Sequence, residues 1–469
     1  MGEKYIPRYN SLDELLAQFE PAIGKTFYEL DINHRLVGNG NKGVLGQIVE
    51  EGVFHYPINS DHNADFPNLG IELKTTGILR KKAGVTFKER VPLCGFDYNK
   101  VVEERFENSY LWFKCERLLF ALYEYLEGKP YGEMQLIKGF LHVFTPEDIA
   151  IIKKDYEILA KKVLSGHPED ISESDTNYLA ACTSGAGHGQ LDKRASNFFE
   201  KPLKPRKYAL KAGYMTQVIR KLLTNEDVES IIQASELKKN TIEDIILARL
   251  NPYLGKSESE LQQLIENGFE SKNRFERYVA AMIGAKGKVN DVDEFKKANI
   301  TLKTIRVEED GNIEQNMSFP AFSFIDIINE EWEESGFRDL MANQKFLFVI
   351  FKKINGLYYF KKTMFWSLPE YILDNDGRKV FNQLKEVLAN GNIVKGFSTQ
   401  KGGKVIRLNN FPKSSANPYF HIRPHGKDAS DTNPLPVADK LTGATEYTKQ
   451  CFWLKKEYVL SVINGESDE

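Results

Sequence analysis

The stretch DFPNLGIELKTT, residues 65–76, sets Asp65, Glu72 and Lys74 in the pattern D-x6-E-x-K. Its second half reads as a β-strand, whose side chains alternate between faces with a period of two. Glu72 and Lys74 therefore share one face, and Ile71 and Leu73 the other. Two carboxylates with the intervening backbone carbonyl offer hard oxygen ligands suited to Mg2+. A lysine beside them can orient a water, deprotonate it as the neutral amine, or as the ammonium stabilise charge developing on a phosphate. That is the equipment of a metal-dependent phosphodiesterase. Alternating charge on a strand is also what a solvated face looks like, so the pattern needs independent support.

An internal repeat supplies it. The order of a helical apolar run, a polar loop and GIELKTT returns in ESKNRFERYVAAMIGAKGKVNDVDEFKKANITLKTIRV, where ITLKT answers IELKT 229 residues later. KCERLLFALYEYLEG is followed by its match QKFLFVIFKKING, IIKKDYEILAKKVLSG by KVFNQLKEVLANG, and RKYALKAGYMTQVI by QCFWLKKEYVLSVI. Amphipathic helices resemble one another by chance, but collinear order does not arise that way. Aligning the halves sets Glu50 against Ala280, Asp65 against Glu294, Glu72 against Thr301, Lys74 against Lys303 and Lys114 against Ala342. A merely solvated face would keep comparable charge in both copies. The second copy loses most of the metal-binding equipment and keeps the apolar frame. Glu51 is the alternative to Glu50 should the alignment slip by one residue.

We expect an α/β chain of two tandem domains, each a mixed sheet flanked by helices, joined by a helical linker. The boundaries are 1–222 for a catalytic domain, 223–262 for the linker and 263–469 for the degenerate copy. In the linker, NTIEDIILARL puts Ile242, Ile245, Ile246 and Leu250 on one face. A connector packing that face on a domain and a separate module are the two readings.

The 469 residues are 41% apolar, 12% aromatic and 28% charged, the balance of a globular chain, which excludes the disordered and collagen-like classes. With 63 basic and 66 acidic residues the net charge is −3, so any nucleic-acid surface must be local. The four cysteines, Cys94, Cys115, Cys182 and Cys451, are too scattered for a disulfide framework and lack zinc-site pairs. There is no apolar signal core and no bilayer-length apolar run, so we expect a cytoplasmic protein without membrane contact.

KGVLGQIVE, DFPNLGIELKTT and KCERLLF, spaced as they are, resemble MutH, the GATC-specific nicking endonuclease of mismatch repair, over about the first 220 residues. With the second, degenerate copy and with YLAACTSGAG and LKAGYMT, the whole chain is similar to the GATC-cutting type II restriction enzymes of the Sau3A kind. The resemblance implies a PD-(D/E)XK core, Mg2+ and cleavage before the G to 5′-phosphate ends with 5′ overhangs. It implies metal binding by Asp65 and Glu72, an acidic cluster completed by Glu50, and catalysis and phosphate contact by Lys74 and Lys114. It also implies double-stranded DNA as the partner and a methyltransferase paired with the enzyme in the cell.

The small-residue loop CTSGAGHG can lie against a duplex and offer the Thr183 and Ser184 hydroxyls, although the Arg-Pro-Lys that MutH has there is missing; an ordinary turn is the plainer reading. KRASNFFEKPLKPRKYALK gathers seven cations in nineteen residues, among them Lys204, Arg206, Lys207 and Lys211, either a phosphate track or a solvated face. In the second copy YFHIRPHGKDA contains Arg423, Pro424 and His425, a run similar to the Arg-Pro-Lys of MutH, and FWLKKEYV retains Lys455. We expect that half to bind a second GATC site without cutting it, tethering or activating the first, or else to persist as a packing partner. One catalytic centre per chain implies a monomer in solution that becomes a dimer or two-site complex on DNA. A repair nickase and a non-catalytic GATC-binding or methylation-sensing protein are the alternatives.

Overall fold

Leu118 to Tyr123 are six consecutive residues with no exposed surface, as expected of a strand covered on both faces. The computed structural model describes residues 9–38, 43–56, 58, 63–81, 84–126, 128–183, 203–224, 228–264, 273–400, 402–403 and 405–466. The chain forms two compact units, Met1–Ala248 with Ile283–Ile300, and Arg249–Met282 with Thr301–Glu469. The first cut falls inside the expected linker, and Ile283–Ile300, within the expected second copy, belongs to the first unit.

In the first unit, helix α1 (Val44–Gly52) buries Val44, Leu45, Ile48 and Val49. Strands β1 (Glu72–Lys81) and β2 (Gly84–Phe87) pair antiparallel, and β3 (Val91–Phe96) leaves for a second sheet. Helix α2 (Tyr110–Cys115) leads into the buried β4 (Arg117–Glu124), which runs parallel to β1 and antiparallel to β5 (Gln135–Val143). The first sheet is thus ordered β2-β1-β4-β5. Ile71 and Leu73 pack with Leu45, Ile48, Val49, Leu119 and Tyr123, so β1 presents its other face to the site. Truncating a core residue such as Leu119 to alanine would cost about 2–5 kcal/mol. At Gly77 a Cβ would come within 2.8 Å of the Tyr123 ring on β4, so only glycine fits that place in the parallel pair.

Helix α3 (Pro146–Leu164) opens with Thr145 capping the N–H of Asp148, and proline fits its first turn. Strands β6 (Leu179–Thr183) and β7 (Arg206–Leu210) follow, then helix α4 (Ala212–Thr224), and the second sheet is ordered β3-β7-β6. Asp155, fully buried on α3, accepts the N–H groups of Asn177, Tyr178 and Leu179 at 2.7–2.9 Å and thereby locks α3 to the start of β6. The piece Ile283–Ile300 docks on the same unit. A Cβ at Gly213 would lie 2.1 Å from Asn299 Oδ1, and Lys297 Nζ reaches Asp148 at 3.3 Å, so the glycine of LKAGYMT permits a close backbone approach.

In the second unit, α5 (Arg274–Ile283), β8 (Ile300–Val307), β9 (Met317–Ala321), α6 (Gly336–Asn343), β10 (Lys345–Ile354) and β11 (Leu357–Trp366) occur in that order. The sheet is β11-β10-β8. Strand β12 (Phe420–Pro424) pairs with β13 (Gln450–Leu454), which also pairs with β9 and runs into helix α7 (Lys456–Asn464). The four matched segments of the two halves fall on like elements. β4 answers β10, α3 answers the helix Arg378–Ala389, and β7 with α4 answers β13 with α7. No helix among the described residues is long and apolar enough to cross a membrane.

Candidate active site

A tight reversal brings Asp65 beside β1. Phe66 and Ile71 form an isolated antiparallel bridge, and Gly70 at φ +61 takes the left-handed conformation that glycine tolerates. Asn68 donates to the carbonyl of Tyr9 at 2.7 Å and Arg117 to that of Leu69 at 2.9 Å, which fixes the turn. Asp65 Oδ2 then accepts the N–H of Leu73 at 2.8 Å, so its carboxylate stands next to Glu72.

Glu72 is 4% exposed. Its Oε1 takes the ammonium of Lys74 at 2.7 Å and that of Lys114 at 3.6 Å, and its Oε2 is buried with no hydrogen-bond partner among the described residues. Lys74 also donates to the carbonyl of Leu93 on β3 at 3.1 Å, a main-chain hold that no side-chain pattern announces. Tyr110, one helical turn before Lys114 on α2, lies close enough for the Lys114 and Glu72 charges to act on its hydroxyl; the sequence reading missed it, although the i, i+4 spacing was there to be read.

Electrostatics ties Glu50 into the same cluster. Burial, then the charges of Asp65, Glu51 and Glu72, push its carboxyl up to about 7. Burial and Glu72 raise Asp65 to about 6 against the N–H of Leu73 and the two lysines. Burial works against the Lys74 and Lys114 ammoniums, but Glu72, joined by Cys115 and Asp65 at Lys74 and by Tyr110 and Asp65 at Lys114, outweighs it and both are held above the ordinary lysine value. Glu51 points elsewhere, its carboxylate gripped by Arg35 Nε at 2.5 Å and Nη2 at 2.6 Å, so Glu50 and not its neighbour belongs to the cluster. Among the described residues, no three or more His, Cys, Asp or Glu side chains already form a metal-holding group. The donor set still suits a divalent ion, because Glu72 Oε2 lacks a partner among the described residues and the neighbouring carboxylates raise the cost of ionising Glu50 and Asp65.

The description "DNA mismatch repair enzyme MutH" belongs to the family model that matches residues 54–155, a span that contains Asp65, Glu72, Lys74 and Lys114. The chain is 31% identical to the type II restriction enzyme Sau3AI of Staphylococcus aureus over 93% of its own length and 95% of that protein's. The chain belongs to the Sau3AI family of type II restriction enzymes. It is also 23% identical to the DNA mismatch repair protein MutH of Shewanella baltica, over 39% of this chain and 80% of that one. Family membership makes the acidic cluster part of a site-specific endonuclease, an enzyme class that generally works with a divalent metal and that binds DNA.

The residues expected to meet DNA divide sharply. Arg206 is 4% exposed and donates to the carbonyls of Ala181 at 2.8 Å and Ile171 at 2.5 Å. Lys211 has no exposed surface and donates to the carbonyl of Thr176 at 2.6 Å, beside Asp155. Both were expected on a phosphate track, and both are internal clasps, since a buried cation bonded to main-chain carbonyls cannot reach a phosphate. Lys204 and Lys207 are exposed, Lys207 because β7 alternates it outward between Arg206 and Tyr208. Thr183 is half-buried at the end of β6, and Ser184 lies outside the described residues. In the second unit Arg423 and His425 are exposed beside Trp453, the guanidinium 5.8 Å and the imidazole 6.0 Å from its ring. Lys455 donates to the carbonyl of Ser414 at 3.2 Å.

Proposed function

We propose that the first unit hydrolyses phosphodiester bonds of double-stranded DNA at GATC with Mg2+, cutting before the G to leave 5′-phosphates on 5′ overhangs. The observation that carries this reading is the single carboxylate Glu72 shared by Lys74 and Lys114, with Asp65 folded back beside it. Asp65 and Glu72 would hold the ion, and Glu50 would complete the acidic cluster. A bound divalent ion supplies Lewis-acid polarisation of the phosphate and of the attacking water. Lys74, kept protonated by Glu72 and anchored on Leu93, donates hydrogen bonds to the attacking water or the phosphate oxygen rather than taking a proton. Lys114 adds a second ammonium on the same side.

The chain reads as two tandem PD-(D/E)XK domains joined through the helical stretch 223–262, the second degenerate. Thr301 carries no carboxylate, and Ala280 and Ala342 carry neither ligand nor cation. Arg423, His425 and Lys455 would let the second unit engage another GATC site, with Lys204, Lys207, Thr183 and Ser184 as the contacts of the first. One catalytic set per chain makes double-strand cleavage a matter of two chains meeting on DNA, and a companion methyltransferase would protect host sites. The test is digestion of unmethylated plasmid in Mg2+ and in EDTA with the ends sequenced. Metal-dependent ends beginning 5′-GATC support the reading, and ends elsewhere, or nicks alone, contradict it.

A further inference from the structure

The second unit's counterpart of the acidic site has changed in polarity. On β8, Thr301 and Lys303 stand where β1 carries Glu72 and Lys74, two residues apart and so on one strand face. Both are half-buried. Glu294, matched to Asp65, belongs to the first unit, where its carboxylate accepts the N–H groups of Ile231 and Ile232 and the hydroxyl of Ser230. Thr301 Oγ1 accepts a hydrogen bond from Gln344 Nε2 at 2.9 Å, which leaves its own proton for another acceptor. Lys303 forms no ion pair with a described residue. Burial pushes its amine below the ordinary value against the pull of Glu276, a turn before Ala280 on α5. The first unit's strand presents a carboxylate and an ammonium; this one presents two donors.

We infer that the strand pair Thr301 and Lys303 holds a DNA backbone phosphate directly, without a divalent ion. The inference rests on the reading that the second unit binds DNA, and adds the group it grips and the absence of a metal requirement. Three carboxylates repel a phosphate until a divalent ion neutralises them, whereas the positions matched to Glu50, Glu72 and Lys114 are here uncharged. Among the described residues Glu276 is the one carboxylate whose charge acts on Lys303, too few oxygen ligands for Mg2+. An ammonium with no carboxylate on its own strand face has its charge to give to an anion, and in a partly desolvated place that attraction is strengthened.

The experiment uses the full chain in EDTA, where cleavage is silent, with a fluorescent GATC duplex, counting duplexes per chain by sedimentation and measuring affinity against salt. Two duplexes are expected to bind the unaltered chain in Ca2+, the first at the acidic cluster and the second at the second unit, and the second is expected to stay bound in EDTA. Lys303→Met should weaken the second by about tenfold and lower the salt slope by about one, while Lys303→Arg keeps most of the affinity. Thr301→Glu should weaken it further, and added Ca2+ should recover part of the loss. Melting curves matching the unaltered chain show that each variant is folded. If only one duplex binds with or without Ca2+, or if Arg423→Ala and His425→Ala leave the second duplex bound as before, the reading of the second unit fails. If those variants release it but Lys303→Met leaves affinity and slope unchanged, the present inference alone fails. Binding of no duplex in EDTA and of two in Ca2+ overturns it as well.

Discussion

Replacing Arg206 by methionine separates an internal clasp from a DNA contact. The guanidinium is 4% exposed and donates to the carbonyls of Ala181 and Ile171. Charge-assisted hydrogen bonds are worth about 1.5–3 kcal/mol each, and the substitution also strands buried carbonyls. The expected loss is about 3–5 kcal/mol of stability in the first unit. At roughly 2–4 °C per kcal/mol for a unit of this size, the first melting transition should fall by on the order of 10 °C. Thermal melting by circular dichroism reads the shift. Duplex binding well below both transitions should keep its affinity and salt dependence. A melting point within 2 °C of the unaltered chain, together with a salt slope reduced by about one, would refute the internal role and restore the phosphate track.

Lys207→Ala on the same strand should do the reverse, lowering the salt slope of duplex binding by about one while stability stays within about 0.5 kcal/mol, as denaturant titration would show. His142 is buried against Tyr214, and burial pushes its imidazole down to about 4 from an ordinary 6.5. The unfolded chain therefore takes the proton first. The stability His142 contributes should be complete above pH 6.5 and lost as pH falls toward 4, in total on the order of 3 kcal/mol, measurable as a falling urea midpoint that His142→Gln flattens. Gly77→Ala should cost about 1–3 kcal/mol by forcing a methyl against the Tyr123 ring, read as a lower melting point with β1 and the site beside it disturbed.

The acidic cluster was legible because strand alternation and the loss of charge in the second copy together single out Asp65, Glu72 and Lys74, with Glu50 and Lys114 added by position. The fold class was legible for a similar reason, since buried β4 and β10 carry long apolar runs. What the sequence hid lies in tertiary contacts. A run of cations does not say which face of β7 turns inward, so Arg206 and Lys211 read like Lys207 and Lys204. Their alternation with Tyr208 and Leu210 was the available signal for Arg206; Lys211, just past the strand, had none, since its place is set by Asp155 from a distant helix. Glu294 matched Asp65 by position, yet its partners Ser230 to Ile232 lie more than sixty residues earlier. The hold of the Leu93 carbonyl on Lys74 involves a main-chain atom, which no residue type advertises.

The most direct measurement is single-turnover cleavage of a GATC duplex in Mg2+ by the unaltered chain and by Glu72→Gln, which keeps the shape of the side chain and removes its charge. A fall of at least about a thousandfold, or about 4 kcal/mol in the barrier, with the melting curve retained is the predicted result. Cleavage within tenfold of the unaltered rate would contradict the placement of the chemistry at Glu72.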